Sequence, residues 1–140
     1  MPFQKPAARS SLTVDEEPTA QVWFTADTHF GHGGAIGRFK RPFKSAAEMD
    51  EAMITGWNEV VGRNDQVWHL GDFAYRAARE RVSGLLQKLN GRKHLIIGNN
   101  DGEPTLAADE WESIGRYAEL TLCGVRLVLC HYPFRTWDGM

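Results

Sequence analysis

The chain has 140 residues, 42% of them apolar and 24% charged, with a formal net charge of −2. That suffices for one globular domain with its own core, and it excludes the overall basic field that a long nucleic-acid footprint needs. No apolar run approaches the roughly 20 residues of a membrane span, residues 1–20 hold no apolar signal-peptide core, and Cys123 and Cys130 make no disulfide framework, so the reading is a cytoplasmic protein with free thiols.

Residues 1–20 contain Pro2, Pro6, Pro18 and an acidic Asp15-Glu16-Glu17 run without sustained periodicity, and read as a flexible tail. The domain is expected over 21–140. Val22-Trp23-Phe24 is a short run of strand formers that ends in Asp27-Thr28-His29. The glycine-rich stretch from Phe30 to Lys44 reads as a loop carrying Arg38, Lys40 and Arg41. Ser45-Ala46-Ala47-Glu48 has capping-box spacing, and Met49, Met53, Trp57 and Val60/Val61 follow with helical period. Gln66 to Leu70 is a second strand, running into Gly71-Asp72. A helix is expected from about Ala77 to Leu89, with Val82, Leu85, Leu86 and Leu89 as its apolar stripe. Lys93 to Ile97 is a third strand ending in Gly98-Asn99-Asn100-Asp101. A shorter helix is expected over about Thr105 to Arg116. Leu120–Leu122 and Val125–Cys130 then form a hairpin around Cys123-Gly124 and lead to His131. His69 reads as core or as a neighbour of the site, and His94 as a solvent-facing residue. The order of elements predicts an α/β sheet, at least partly parallel, with helices on its faces.

Asp27, His29, Asp72, Asn99 and His131 each follow the C-terminal end of an apolar strand, and ligand sites in open α/β sheets form at that edge. Taken singly, Asp72 reads equally as a helix cap, Asn99 as a turn residue and His131 as a packed loop histidine. Four successive strand ends carrying possible ligands point instead to one site. Carboxylate, amide oxygen and imidazole together suit a divalent metal.

Asp27-Thr28-His29, Gly71-Asp72, Gly98-Asn99 and His131 resemble, in order, the first four sequence blocks of the calcineurin-like metallophosphoesterases, and Asp27 to His32 with Arg41-Pro42-Phe43 resembles their small bacterial and phage subgroup. The resemblance covers residues 21–140. It implies a metallophosphoesterase-type β-sandwich flanked by helices. It implies two divalent ions (Mn, Fe, Zn, Ni or Mg) about 3.5–4 Å apart. Asp27, His29 and Asp72 would bind the first, and Asp72, Asn99 and His131 the second. A water activated between the ions as hydroxide would hydrolyse a phosphate mono- or diester. Arg41 and Arg135 are expected to bind the substrate.

Two departures from that pattern matter. The third block of the family carries a histidine where this chain has Asn100, at the place assigned to protonating the leaving group. An amide cannot deliver that proton near neutral pH, so Asn100 is assigned a weaker catalytic part and His32 is the candidate to compensate. The closing Gly-His-x-His block does not follow His131, so the C-terminal part of the fold is expected to be missing. Two other readings stay open: a non-catalytic scaffold of the same fold that binds a protein partner, and a nuclease acting on short nucleic acids. No membrane partner is expected.

Overall fold

A computed structural model describes residues 20–137. The tail expected over 1–20 lies, apart from Ala20, outside the described residues, as do the last three residues. Four strands, β1 (Val22–Thr25), β2 (Gln66–His69), β3 (Arg92–Ile96) and β4 (Ser113–Gly115), form a sheet in that spatial order. All neighbouring pairs are parallel. A separate antiparallel pair, β5 (Ala118–Leu122) and β6 (Val125–Leu129), is the expected hairpin, and its turn residues Cys123 and Gly124 have φ of 49° and 75°. Such a two-residue turn with both φ positive matches the twist of the strands it joins.

Side-chain alternation assigns the layers. Val67 and Leu95 point to one face of the sheet, where they pack with Trp57, Val82, Leu85 and Leu86 of helices α2 (Ala46–Val60) and α3 (Arg79–Lys88). Trp68 and Ile96 point to the other face and pack with Ala118, Leu120 and Leu129 of the hairpin. The helices thus cover one face only, and the hairpin faces them across the parallel sheet. β2 is buried along its whole length, as a central parallel strand covered on both faces should be.

Helix α2 starts where its cap is. The Glu48 N–H donates to Ser45 Oγ at 3.1 Å, and the Glu48 carboxylate accepts from the Lys44 N–H at 2.8 Å, one residue further back than in a standard capping box. Met49, Trp57 and Val61 are buried, whereas Val60 is exposed. Asp50 on the same helix is buried and accepts from the Gly31 N–H and from Arg81 of α3, so one carboxylate ties two helices to the loop after β1.

Three expectations are corrected. The stretch Phe30 to Lys44 contains a short helix, α1 (Gly33–Arg38), held by the buried Ala35, whose carbonyl accepts from the Phe39 N–H. The helix expected over Thr105 to Arg116 shrinks to one turn, α4 (Glu103–Leu106), started by Pro104. Beyond it the Trp111 Nε1–H donates to the Thr105 carbonyl, the Glu112 N–H to the Lys93 carbonyl, and β4 fills the free edge of β3. Tertiary strand pairing overrides local helix preference there. His94 is buried rather than solvent-facing: it stacks on Trp68 at 4.1 Å and bonds to Ser113 Oγ and Gln66 Oε1. Among the described residues no helix is long and apolar enough to cross a membrane.

His69 is fully enclosed, and burial pushes its pKa down to about 3; burial also lowers that of His94. In the unfolded chain both take up a proton near pH 6.5. The unfolded state therefore binds more protons below that pH, and stability falls as the solution is acidified. The His69 ring resonances are expected to show no titration above about pH 4, and the unfolding free energy to drop between pH 7 and 5. A His69 titration midpoint near 6.5 in the folded protein would contradict a buried neutral imidazole.

Candidate metal centre

The loops after β1 and β2 run side by side and are stitched together. The Asp27 N–H donates to the Gly71 carbonyl at 2.9 Å, His29 to Asp72 at 3.0 Å, Phe30 to Phe73 at 2.9 Å, and Tyr75 back to Phe30 at 3.0 Å. Asp27, His29 and Asp72 all adopt left-handed backbone, with φ of 54°, 51° and 57°. This conformation costs a side-chain-bearing residue about 1 kcal/mol, least for short polar types. Asp27 and His29 face the cleft with Asp72, while Thr28 between them turns the other way to His69 and the Phe73 carbonyl. The loop after β3 joins through Asp101. Its carboxylate accepts from the N–H groups of Asp72, Phe73 and Gly98 at 2.7–2.9 Å. Burial, reinforced by the neighbouring Asp72 charge, raises the Asp101 pKa against the pull of those three bonds.

Asp27, His29, Asp72, Asn99 and His131 all line one cleft of about 400 Å³, together with His32, Asn100, Arg38, Phe39 and Tyr75. Ligand-capable atoms of Asp27, His29 and Asp72 lie within 4.8 Å of one another. The Asp72 carboxylate sits between two imidazoles, with Oδ2 3.5 Å from His29 Nε2 and Oδ1 3.8 Å from His131 Nε2. His131 Nδ1 lies 2.7 Å from the Leu70 carbonyl and must donate its proton there. In the neutral ring that leaves the Nε2 lone pair toward the Asn99 amide, 2.9 Å from Oδ1, so both side chains present a ligand-capable atom to the cleft. The donor set is oxygen and nitrogen from carboxylate, amide and imidazole, which fits divalent metals.

Asn100 does not hang free at the leaving-group side. Its backbone N–H donates to Asp72 Oδ1 and its side-chain Nδ2 to Asp72 Oδ2, both at 2.8 Å. His32 lies with Nδ1 3.1 Å from His29 Nδ1 and stacks on Tyr75 at 3.7 Å. Burial lowers its pKa, aided by His29 and then by Arg41, Arg38 and Arg76. His69, behind the site, accepts from the Gly71 N–H at Nδ1 and meets Thr28 Oγ1 at Nε2, and Thr28 donates on to the Phe73 carbonyl.

The two arginines expected to bind substrate, Arg41 and Arg135, do not line the cleft. Arg41 turns its guanidinium onto the carbonyls of Asp27 and Thr28, at 2.7 Å each, and borders a separate, mainly apolar groove rather than the cleft. Arg135 is exposed and does not line the cleft. The arginine on the cleft wall is Arg38, at the end of α1. Its place depends on a helix that the glycine-rich sequence conceals. Asp101, within Asn99-Asn100-Asp101-Gly102, carries no sequence signal that sets it apart from an ordinary turn residue.

The family model for calcineurin-like phosphoesterases matches residues 20–137. The Gene 66 protein of Mycobacterium phage L5 is 32% identical over 100 residues, which is 70% of this chain and 48% of that protein. An uncharacterised protein of Methanocaldococcus jannaschii is 37% identical over 82 residues, 58% of this chain and 47% of the other. The crystal structure of a protein of unknown function from Aquifex aeolicus superposes with a TM-score of 0.70 at 29% identity, covering 81% of this chain and 61% of that one. The chain thus spans about half the length of the curated relatives it matches.

The loops touch where glycines allow it. A Cβ on Gly71, whose φ is 105°, would lie 2.7 Å from the backbone of Gly98 and 2.6 Å from His131 Nδ1, and a Cβ on Gly98 would run into the Asp72 carboxylate. Gly71→Ala is expected to cost about 2–3 kcal/mol, and Gly98→Ala to destabilise the fold as well. Denaturant midpoints check both. Parent-like values in Gly71→Ala would mean that the two loops are not in contact in solution.

Proposed function

The chain belongs to the calcineurin-like phosphoesterase family, and from that premise we propose that it hydrolyses phosphate esters with two divalent ions held by Asp27, His29, Asp72, Asn99 and His131. The observation that carries the reading is the Asp72 carboxylate between the His29 and His131 imidazoles, one oxygen toward each. Asp27, His29 and Asp72 would hold one ion, and Asp72, Asn99 and His131 the other. Bound ions in such a pair supply positive charge for the phosphoryl oxygens and lower the pKa of a water.

The chain's own residues set the rest. Two carboxylates against two dications leave the centre positive, which favours an anionic ester. His131 is fixed by the Leu70 carbonyl in the tautomer that presents Nε2 to the cleft. His29 presents Nε2 in the same way, with Nδ1 against His32, and the depressed pKa of His32 suits it to accept the Nδ1–H of His29. Asn100 keeps the Asp72 carboxylate in one orientation through two bonds. Arg38 on the cleft wall is the cation available to a phosphate or its substituent.

Asp72→Asn tests the reading directly. It replaces one charged oxygen by an NH₂, and in protein reconstituted with Mn²⁺ it should lower kcat/KM on bis(p-nitrophenyl) phosphate by at least 100-fold and reduce the bound metal. Full activity in that variant with two ions retained, or equal activity of the parent in excess chelator, would sink the proposal.

Asn100 has no proton to give, so the leaving group must depart on its own acidity. General acid catalysis contributes about 10²–10⁴-fold where it operates. The rate is therefore expected to fall steeply along a series of esters of rising leaving-group pKa. A shallow dependence in the parent would show that another group, His32 first among them, supplies the proton.

A further inference from the structure

Arg41 was expected at the substrate, yet both faces of its placement argue for another role. Nη2 donates to the Asp27 carbonyl and Nη1 to the Thr28 carbonyl, each at 2.7 Å. Two successive carbonyls converging on one cation are not found in an extended strand, where they alternate in direction. They converge here because Asp27 lies in the left-handed region. Among the described residues no backbone N–H donates to either carbonyl. Without the guanidinium two parallel carbonyl dipoles would face each other, and the backbone would relax toward the extended form that turns the Asp27 side chain away.

The guanidinium is itself held in place. Nη1 also lies 3.4 Å from Met49 Sδ, a fully buried side chain of α2, and the group rests 5.8 Å from the Phe39 ring. The Arg41 N–H donates to the Ile36 carbonyl of α1. The residue therefore spans α1, α2 and the loop after β1. A planar fork reaches both carbonyls at once, which an ammonium does not.

We propose that Arg41 is a positioning residue for the metal centre: it clamps the Asp27-Thr28 carbonyls so that Asp27 holds its left-handed turn and keeps its carboxylate beside His29 and Asp72. This rests on the reading of Asp27 as a metal ligand. It assigns no contact between Arg41 and the ester.

The test is calorimetric titration of Mn²⁺ into the parent, Arg41→Lys and Arg41→Ala, with the melting temperature of each metal-free chain and KM on an activated diester. Mn²⁺ affinity is expected to fall about 10- to 100-fold in both variants, the range for residues that orient ligands. KM at saturating Mn²⁺ should stay near the parent value. Millimolar guanidinium should restore Mn²⁺ binding to Arg41→Ala and not to Asp27→Ala. If Arg41→Ala does not fold, Arg41→Lys carries the measurement, since an ammonium can satisfy one carbonyl. Unchanged Mn²⁺ affinity with a raised KM would overturn the proposal and return Arg41 to the substrate. Unchanged affinity and KM in a folded variant would overturn it outright. A parent that binds no Mn²⁺ would instead sink the metal-centre reading on which the proposal stands.

Discussion

The arrangement depends on one buried carboxylate that is not itself a proposed ligand. Asp101 accepts from the backbone of Asp72, Phe73 and Gly98, so it fixes the loop after β3 against the loop after β2. The Asp72 N–H would otherwise point into a desolvated corner, and an orphaned buried donor costs about 1–3 kcal/mol. The same contact sets the separation of the Asp72 and Asn99 side chains. Glycines at 71 and 98 are its complement, since the backbones approach more closely there than any Cβ permits. The carboxylate holds the loops together, and the glycines let them meet.

A second constraint is the backbone strain shared by Asp27, His29 and Asp72. Three residues in the left-handed region within two adjacent loops are a local cost that the surroundings must offset. Cross-loop hydrogen bonds do part of this, and the Arg41 fork and the Asp50–Arg81 pair brace the loop from behind. The buried relay from Gly71 through His69 and Thr28 to Phe73 supports the underside. The helices on one face of the sheet thus bear on the site as well as on the core, because α2 and α3 supply Met49, Asp50 and Arg81 to these braces.

Much of this was legible in the sequence. Strands β1 to β3, the hairpin and helices α2 and α3 follow from apolar periodicity and from caps such as Ser45. The convergence of Asp27, His29, Asp72, Asn99 and His131 followed from their shared place at strand ends, and all five line one cleft. What escaped depends on contacts distant in sequence. β4 exists because the edge of β3 was free, which no local pattern around Ser113 announces. His94 was misplaced because a strand's two faces cannot be assigned before its covering layers are known, and the hairpin that encloses Trp68 beside it comes more than twenty residues later. Arg38 and Arg41 are three residues apart in one polar stretch. Only the fold of α1 sends the first to the cleft wall and the second onto the Asp27 and Thr28 carbonyls.

The substitution of an amide at position 100 acts on the centre through the lone pairs of Asp72. Each carboxylate oxygen offers two lone-pair sites. Asn100 takes one on Oδ1 through its backbone and one on Oδ2 through its side chain. One site per oxygen remains, and each oxygen faces a different imidazole, His131 or His29. The count leaves room for a cation on either side while Asn100 stays bonded, so the clamp and a bridging role for Asp72 are compatible. The backbone bond would survive a change of side chain at this position, whereas the bond to Oδ2 requires a donor of short reach. An amide there therefore fixes the orientation of the Asp72 carboxylate by a bond of short reach.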